Sequence, residues 1–161
     1  MDDGCARLGH NQFGRIAGGQ EAGFKEYCGQ HQATANVKRG DLIVSEDIGY
    51  TDASGYFYVS GRVQDCIRVG RRMVFLSKIE AAIRERFSGI ECCIGARDLG
   101  NDNVELVAVV AAGPVCDSAS INAALPEWEH VQRVHILESL PRVPSGKVDR
   151  IAVQRIVDTT A

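Results

Sequence analysis

One segment concentrates the residue types needed to meet a mobile negative charge: Pro141-Arg142-Val143-Pro144-Ser145-Gly146-Lys147-Val148-Asp149-Arg150. Its prolines stiffen the approach because each fixes its own φ, and Ser145-Gly146 lets the tip take an unusual backbone. Lys147 stands on that tip with few neighbours to neutralise it, and a pre-oriented ammonium suits phosphate or carboxylate. Taken alone, the same composition also serves an ordinary solvated loop lysine. A P-loop is excluded, since the Gly-x-x-x-x-Gly-Lys-Ser/Thr spacing is absent.

The other chemistry-bearing residues are scattered. Six cysteines (Cys5, Cys28, Cys66, Cys92, Cys93, Cys116) include no Cys-x-x-Cys, and Cys92 and Cys93, being adjacent on a strand, point to opposite faces. They read as reduced, mostly buried thiols acting as small hydrophobes. His10, His31, His130 and His135 have no cysteine at zinc-site spacing, so no metal site is expected. Trp128, Tyr50, Tyr56 and Tyr58 read as sheet and core residues rather than ligand platforms.

The elements that must carry these residues follow from pattern. Residues 1–38 show no sustained period and read as an arm. Asp41 to Ser45 reads as a strand, Asp52-Ala53-Ser54-Gly55 as a turn and Tyr56 to Ser60 as its partner strand, interrupted by Gly61-Arg62. Cys66 to Val69 and Met73 to Phe75 make a second hairpin around Gly70-Arg71-Arg72. Ser77 and Glu80 have capping-box spacing, and Ile79, Ala82, Ile83 and Phe87 share one face of a helix from Lys78 to about Phe87. Ile90 to Ala96 and Val104 to Ala112 are buried strands around the turn Asp98 to Asp102, Ser118 to Leu125 a short helix, Val131 to Leu137 a further strand, and Arg150 to Val157 a last helix. The order predicts an α+β fold with a mainly antiparallel sheet flanked by helices.

Composition bounds the partners. With 161 residues, 45% hydrophobic and 24% charged, the chain is an ordinary soluble domain plus a short arm rather than a disordered tail. A formal charge of -3 gives no general attraction to nucleic acid. The longest apolar stretch, Val104 to Ala112 with Glu105 inside it, is far short of the ~20 residues of a membrane helix. The start, with two acids and no apolar run, is not that of a secretory signal, so the cytoplasm is the expected location.

Three segments in order change the weight of the lysine loop. Ser45-Glu46-Asp47-Ile48-Gly49-Tyr50-Thr51-Asp52, then Gly55-Tyr56-Phe57-Tyr58-Val59-Ser60-Gly61-Arg62-Val63-Gln64-Asp65, then the Pro-Ser-Gly-Lys loop together resemble the adenylate-forming superfamily: acyl-CoA synthetases, nonribosomal peptide synthetase adenylation domains and luciferases. Ile79-Glu80 is placed as in that family, and a fainter echo lies around Gly23-Phe24 and Ala33-Thr34. The resemblance implies an enzyme that activates a carboxylic acid with ATP and Mg to an acyl-adenylate, then passes the acyl group to the thiol of CoA or phosphopantetheine. It implies residues 1–61 as an arm and the end of a large N-terminal domain, and 62–161 as a small C-terminal lid that swings between the two steps.

It also implies roles. Asp47 matches the aspartate that accepts from both ribose hydroxyls, and Arg62 an arginine at the ribose or phosphate. Gln64 and Asp65 match the hinge, and Lys147 the catalytic lysine between the attacking carboxylate and the α-phosphate. Arg68, Gly70, Arg71 and Arg72 match the region meeting CoA or an acidic acyl carrier protein; the three arginines equally suit a solvated hairpin tip. Three departures stand out: the family's Thr-Gly-Asp reads Ser45-Glu46-Asp47, its glycine pair or Ser-Gly reads Gly70-Arg71-Arg72, and Leu76 replaces a common proline. The phosphate loop, adenine pocket and acyl tunnel belong to the N-terminal domain, so an N-terminal partner is expected. A degenerate, non-catalytic module binding a carrier protein or partner enzyme is the competing expectation.

Overall fold

Glycine and alanine make up four of the six residues of Gly14–Gly19, yet it forms a strand (β1) because a partner distant in sequence supplies its hydrogen bonds. The computed structural model describes residues 6–19, 21, 23–101, 103–111 and 117–160. Residues 1–5 of the acidic start, Cys5 among them, and Asp102, Ala112 and Cys116 lie outside that set.

The chain divides into two units, Met1–Gln64 and Asp65–Ala161, parted within the 3-10 turn Val63–Asp65. In the first, β1 is followed by helix α1 (His31–Val37) and strands β2 (Lys38–Arg39), β3 (Leu42–Thr51) and β4 (Phe57–Arg62). All three other strands pair antiparallel with β3, the longest. Residues 1–38, expected as an arm, thus contain a strand and a helix; their signal was weak because glycine carries no periodicity. The first hairpin is also longer than expected. Gly55 takes φ +84 in its turn, but Gly61 and Arg62 continue β4 instead of interrupting it, and the irregularity falls opposite, as a register shift between Ile48 and Gly49.

In the second unit, β5 (Cys66–Val69) and β6 (Arg72–Phe75) form the expected tight hairpin. Helix α2 (Leu76–Arg86) begins without a side-chain cap: Ser77 lies inside its first turn, and the Glu80 carboxylate is engaged elsewhere, so the capping box does not form. Strands β7 (Cys92–Gly100), β8 (Asn103–Ala111) and β9 (Arg133–Leu137) make one sheet. β7 and β8 are antiparallel, whereas β9 runs parallel to β8, the segment between them carrying helix α3 (Ser118–Asn122). Helix α4 (Arg150–Thr159) closes the chain, its first amides capped by the Asp149 side chain.

This sheet is buried on both faces. Cys92, Ile94, Leu106, Ala108 and Val110 pack with Ile79 and Ile83 of α2 on one side, and Cys93, Val107 and Val109 with Val153 and Val157 of α4 on the other. The adjacent cysteines therefore enter different cores, as strand alternation requires. Cys28, Cys66, Cys92 and Cys93 are free thiols; Cys28 is exposed and Cys66 half-buried. Glu105, the charge inside the apolar run of β8, is ion-paired at 2.5 Å to Arg97, directly opposite on β7, and at 2.7 Å to Arg133 of β9.

Candidate functional site

The lysine loop is built to hold its tip still. Arg142 and Val148 pair across its base, the Asp149 amide donates to the Pro141 carbonyl (2.8 Å) and the Val143 amide to the Lys147 carbonyl (2.9 Å). At the tip, Gly146 takes φ +82, a region side chains rarely enter, while its amide donates to the Val143 carbonyl (2.8 Å). Arg142 donates to the Gly146 carbonyl (2.7 Å) and forms an ion pair with Glu91. The Lys147 side chain is exposed, and no ion pair or hydrogen bond engages its ammonium among the described residues. Its backbone is thus fixed while its charge remains available.

Asp47 and Arg62 are brought together as cross-strand neighbours of β3 and β4, Arg62 Nε lying 3.5 Å from Asp47 Oδ1. Both side chains are largely open to solvent, 42% for Asp47 and 62% for Arg62, so the pair is weak and either partner can turn to a ligand. Ser45 Oγ accepts from the Asp47 amide at 3.0 Å. Glu46, the extra carboxylate in this stretch, is drawn aside: Arg15 of β1 pairs with it at 2.5 Å and also donates to the Ser45 carbonyl. Arg15 was not anticipated from sequence, because its partner lies 31 residues away on another strand.

Gln64 is exposed in the 3-10 turn, whereas the neighbouring Asp65 turns inward, its side chain 16% exposed. Arg150 meets it, with Nε 3.3 Å from Asp65 Oδ1; Nη2 of the same guanidinium is 2.8 Å from Glu80 Oε2, and Nη1 donates to Cys93 Sγ at 3.7 Å. Glu80 Oε1 in turn accepts from the Ile94 amide (3.0 Å). Burial works against the charge of Arg150, but the hydrogen bond and charge of Glu80 outweigh it, with Cys93 and Asp65 adding to the effect, and its pKa is raised. Burial pushes the Cys93 thiol up to about 12, with Glu80 adding and Arg150 opposing. Arg150 is a second residue that sequence reasoning missed. The available signal was Glu80 itself, a carboxylate on the apolar face of α2 that demanded a buried cation.

Arg68, Gly70, Arg71 and Arg72 are all exposed at the β5–β6 tip. Arg72 lies over the Trp128 ring, 3.9 Å from its centre. Trp128 is therefore not a core residue but a 43% exposed platform in the 3-10 turn Glu127–Glu129. Tyr50 and Tyr58 stack across the β3–β4 sheet, as sheet residues, while Tyr56 is 69% exposed. Arg68 and Gly70 line a shallow cavity of about 410 Å³ with Asp98, Gly100, Asn101 and Val104. No group of three or more His, Cys, Asp or Glu is placed to hold a metal among the described residues, and no helix among them is long and apolar enough to cross a membrane.

No protein-family profile matches the chain. A sulfoacetate–CoA ligase of Cupriavidus necator is 33% identical over 112 residues, which are 65% of this chain and 22% of that protein. A feruloyl-CoA synthase of Amycolatopsis is 30% identical over 139 residues, 82% of this chain and 28% of that one. Among solved structures, the o-succinylbenzoate CoA synthetase of Bacillus subtilis in complex with its acyl-adenylate intermediate superposes with a TM-score of 0.76 at 19% identity, covering 91% of this chain and 31% of that one. The chain spans less than a third of the length of these relatives.

Proposed function

Since the chain belongs to the adenylate-forming superfamily, we propose that it corresponds to the C-terminal portion of such an enzyme, the lid of an ATP-dependent, AMP-forming carboxylic acid–thiol ligase, inactive without an N-terminal partner. The observation that carries this reading is the Lys147 ammonium: exposed, free of any ion-pair partner among the described residues, and mounted on a loop braced from both sides. In the first step a carboxylate oxygen attacks the α-phosphorus of ATP and pyrophosphate leaves; Lys147 offsets the charge gathering on both reactants. One well-placed donor of this kind contributes about 3 to 4 kcal/mol. Asp47 accepts from the ribose hydroxyls, and Arg62 turns from Asp47 to the ribose or phosphate. Mg travels with the nucleotide as substrate ion. In the second step the thiol sulfur of CoA or phosphopantetheine attacks the acyl carbon and AMP departs, after a backbone rotation at Gln64 and Asp65.

Two features support a missing partner. Phe57 and Val59, on one face of β4, are 51% and 64% exposed, and Tyr56 just before the strand is 69% exposed, so these apolar side chains lack a cover among the described residues. The phosphate loop, adenine pocket and acyl tunnel that the resemblance assigns to the N-terminal domain have no matching stretch in this sequence. The test is complementation: mix the chain with the N-terminal portion of an enzyme of this family encoded beside it, confirm assembly, and follow ATP–pyrophosphate exchange. Exchange should appear only with both parts and fall by roughly 10²- to 10³-fold in Lys147→Ala. Equal exchange with and without the lysine would remove the reading.

A second reading keeps the fold and drops the chemistry. The exposed Arg68, Arg71 and Arg72 favour an acidic carrier protein as partner. Salt-sensitive carrier binding, lost when these arginines become alanine and unaccompanied by any exchange activity, would select this module over the ligase.

A further inference from the structure

The hydrogen bonds that close the lysine loop join residues within residues 141–149 or, through Arg142, reach Glu91; none of them ties the loop to the start of its own unit. Arg150 makes that tie. It follows Lys147 by three positions, begins α4, and reaches Asp65, the residue on the far side of the proposed hinge from Gln64. It also grips Glu80, whose other oxygen is fixed to the Ile94 amide of β7. The side chains of Glu80 and Asp65 are 6% and 16% exposed, against 37% for Arg150, so the carboxylate ends of both contacts are shielded from water. Asp65 Oδ1 is buried with no in-line hydrogen-bond donor, which leaves the Arg150 charge as what holds it.

We propose that Arg150 is a positioning residue for Lys147, a strut that makes the lysine loop, the first turn of α4 and the chain at Asp65 move as one body. The inference rests on the function proposed above for Lys147. A planar guanidinium spans several acceptors at fixed angles, so torsion change at Gln64 and Asp65 is transmitted to the loop instead of being absorbed by slack beside it. Delivery of a charge to a reacting phosphate is sensitive at this scale, where a misplacement of about 1 Å costs on the order of 10²-fold in rate. Cys93, the third partner, lends a soft acceptor on the sheet side and completes a seat on three separate elements.

The test pairs an exchange measurement on the whole chain with kinetics of the complemented enzyme. Arg150→Met combined with Glu80→Gln removes the strut and neutralises the more deeply buried of its two carboxylates, leaving Asp65, 16% exposed, as the one acid without its cation. Hydrogen exchange at the amides of Val143, Gly146 and Asp149 should rise at least tenfold, while Val107 and Val109 in the sheet stay protected. In ATP–pyrophosphate exchange the double variant should lose at least tenfold in kcat with little change in KM for ATP, and should lose less than twofold when introduced into Lys147→Ala. Arg150→Lys, which keeps the charge but not the fork, should fall between. Unchanged loop exchange, an undiminished loss in the Lys147→Ala background, or full activity of Arg150→Lys would each overturn the strut. Failure of the ligase reading registers separately, as Lys147→Ala exchanging pyrophosphate like the unaltered chain.

Discussion

The unit before Asp65 and the unit after it invest their side chains differently. Of the buried hydrophobic residues described, only Val44 and Ile48 belong to the first; all the others except Phe75 line the two cores around β7, β8 and β9. The first unit leaves Leu8, Phe13, Phe24, Tyr27 and the run from Tyr56 to Val59 exposed, and the larger second unit leaves Leu99, Trp128, Ile136 and Ile151. One ion pair from each unit shows the same contrast. Asp47–Arg62 lies in solvent, whereas Glu105 sits with 9% of its side chain exposed between two arginines. A sheet covered on both faces is a finished core; a sheet that leaves aromatic residues bare is not. The lysine loop belongs to the finished part, and the proposed ribose contacts to the unfinished part.

That contrast breaks most visibly on dissection. Residues 65–161 alone should unfold cooperatively on heating, whereas residues 1–64 alone should show the spectrum of an unfolded chain; a folded 1–64 fragment would overturn the comparison. Next come single changes inside the finished core. Glu105→Gln leaves two arginines facing a neutral amide and should cost about 3 to 5 kcal/mol in denaturant titration. Ile79→Ala, at a fully buried site, should cost about 2 to 5 kcal/mol, with Ile48→Ala leaving the main transition nearly unmoved.

A smaller effect sharpens the comparison through pH. The Cys93 thiol ionises near 9.0 when free but at about 12 in the fold, because burial disfavours the thiolate. The unfolded chain therefore gives up this proton first, and the stability it contributes, full below about pH 9, declines towards pH 12. Cys93→Ala should flatten the stability profile in that alkaline window relative to the unaltered protein. The smallest effect is expected at the open pair, where Arg62→Gln should shift stability by less than about 1 kcal/mol, in a salt-dependent way. Should it instead match Glu105→Gln, the two units would not differ as described.

Much of this was legible in advance, for reasons that particular residues make plain. Gly55 and Gly146 mark turns because positive φ is a local property, and the last helix was expected from Arg150, where α4 begins. Adjacent Cys92 and Cys93 parted to opposite faces because a strand alternates. The failures have one character. The strand at Gly14–Gly19 carries only two large side chains, Arg15 and Ile16, too few to show an alternation, and the spacing of Ser77 and Glu80 suggested a cap only because nothing local revealed Arg150.

Sequence alone therefore determined the local events: where the chain turns, which runs are apolar, and that one lysine stands on a stiffened tip. These depend on backbone torsions and on residues a few positions apart. Tertiary structure decided that β9 lies parallel to β8, that Arg15 draws Glu46 aside, and that Arg150 joins Asp65, Glu80 and Cys93. Arg150 and Glu80 stand 70 residues apart. The energy of an ion pair depends on distance in space and on exclusion of water, and neither exists until the intervening chain has packed.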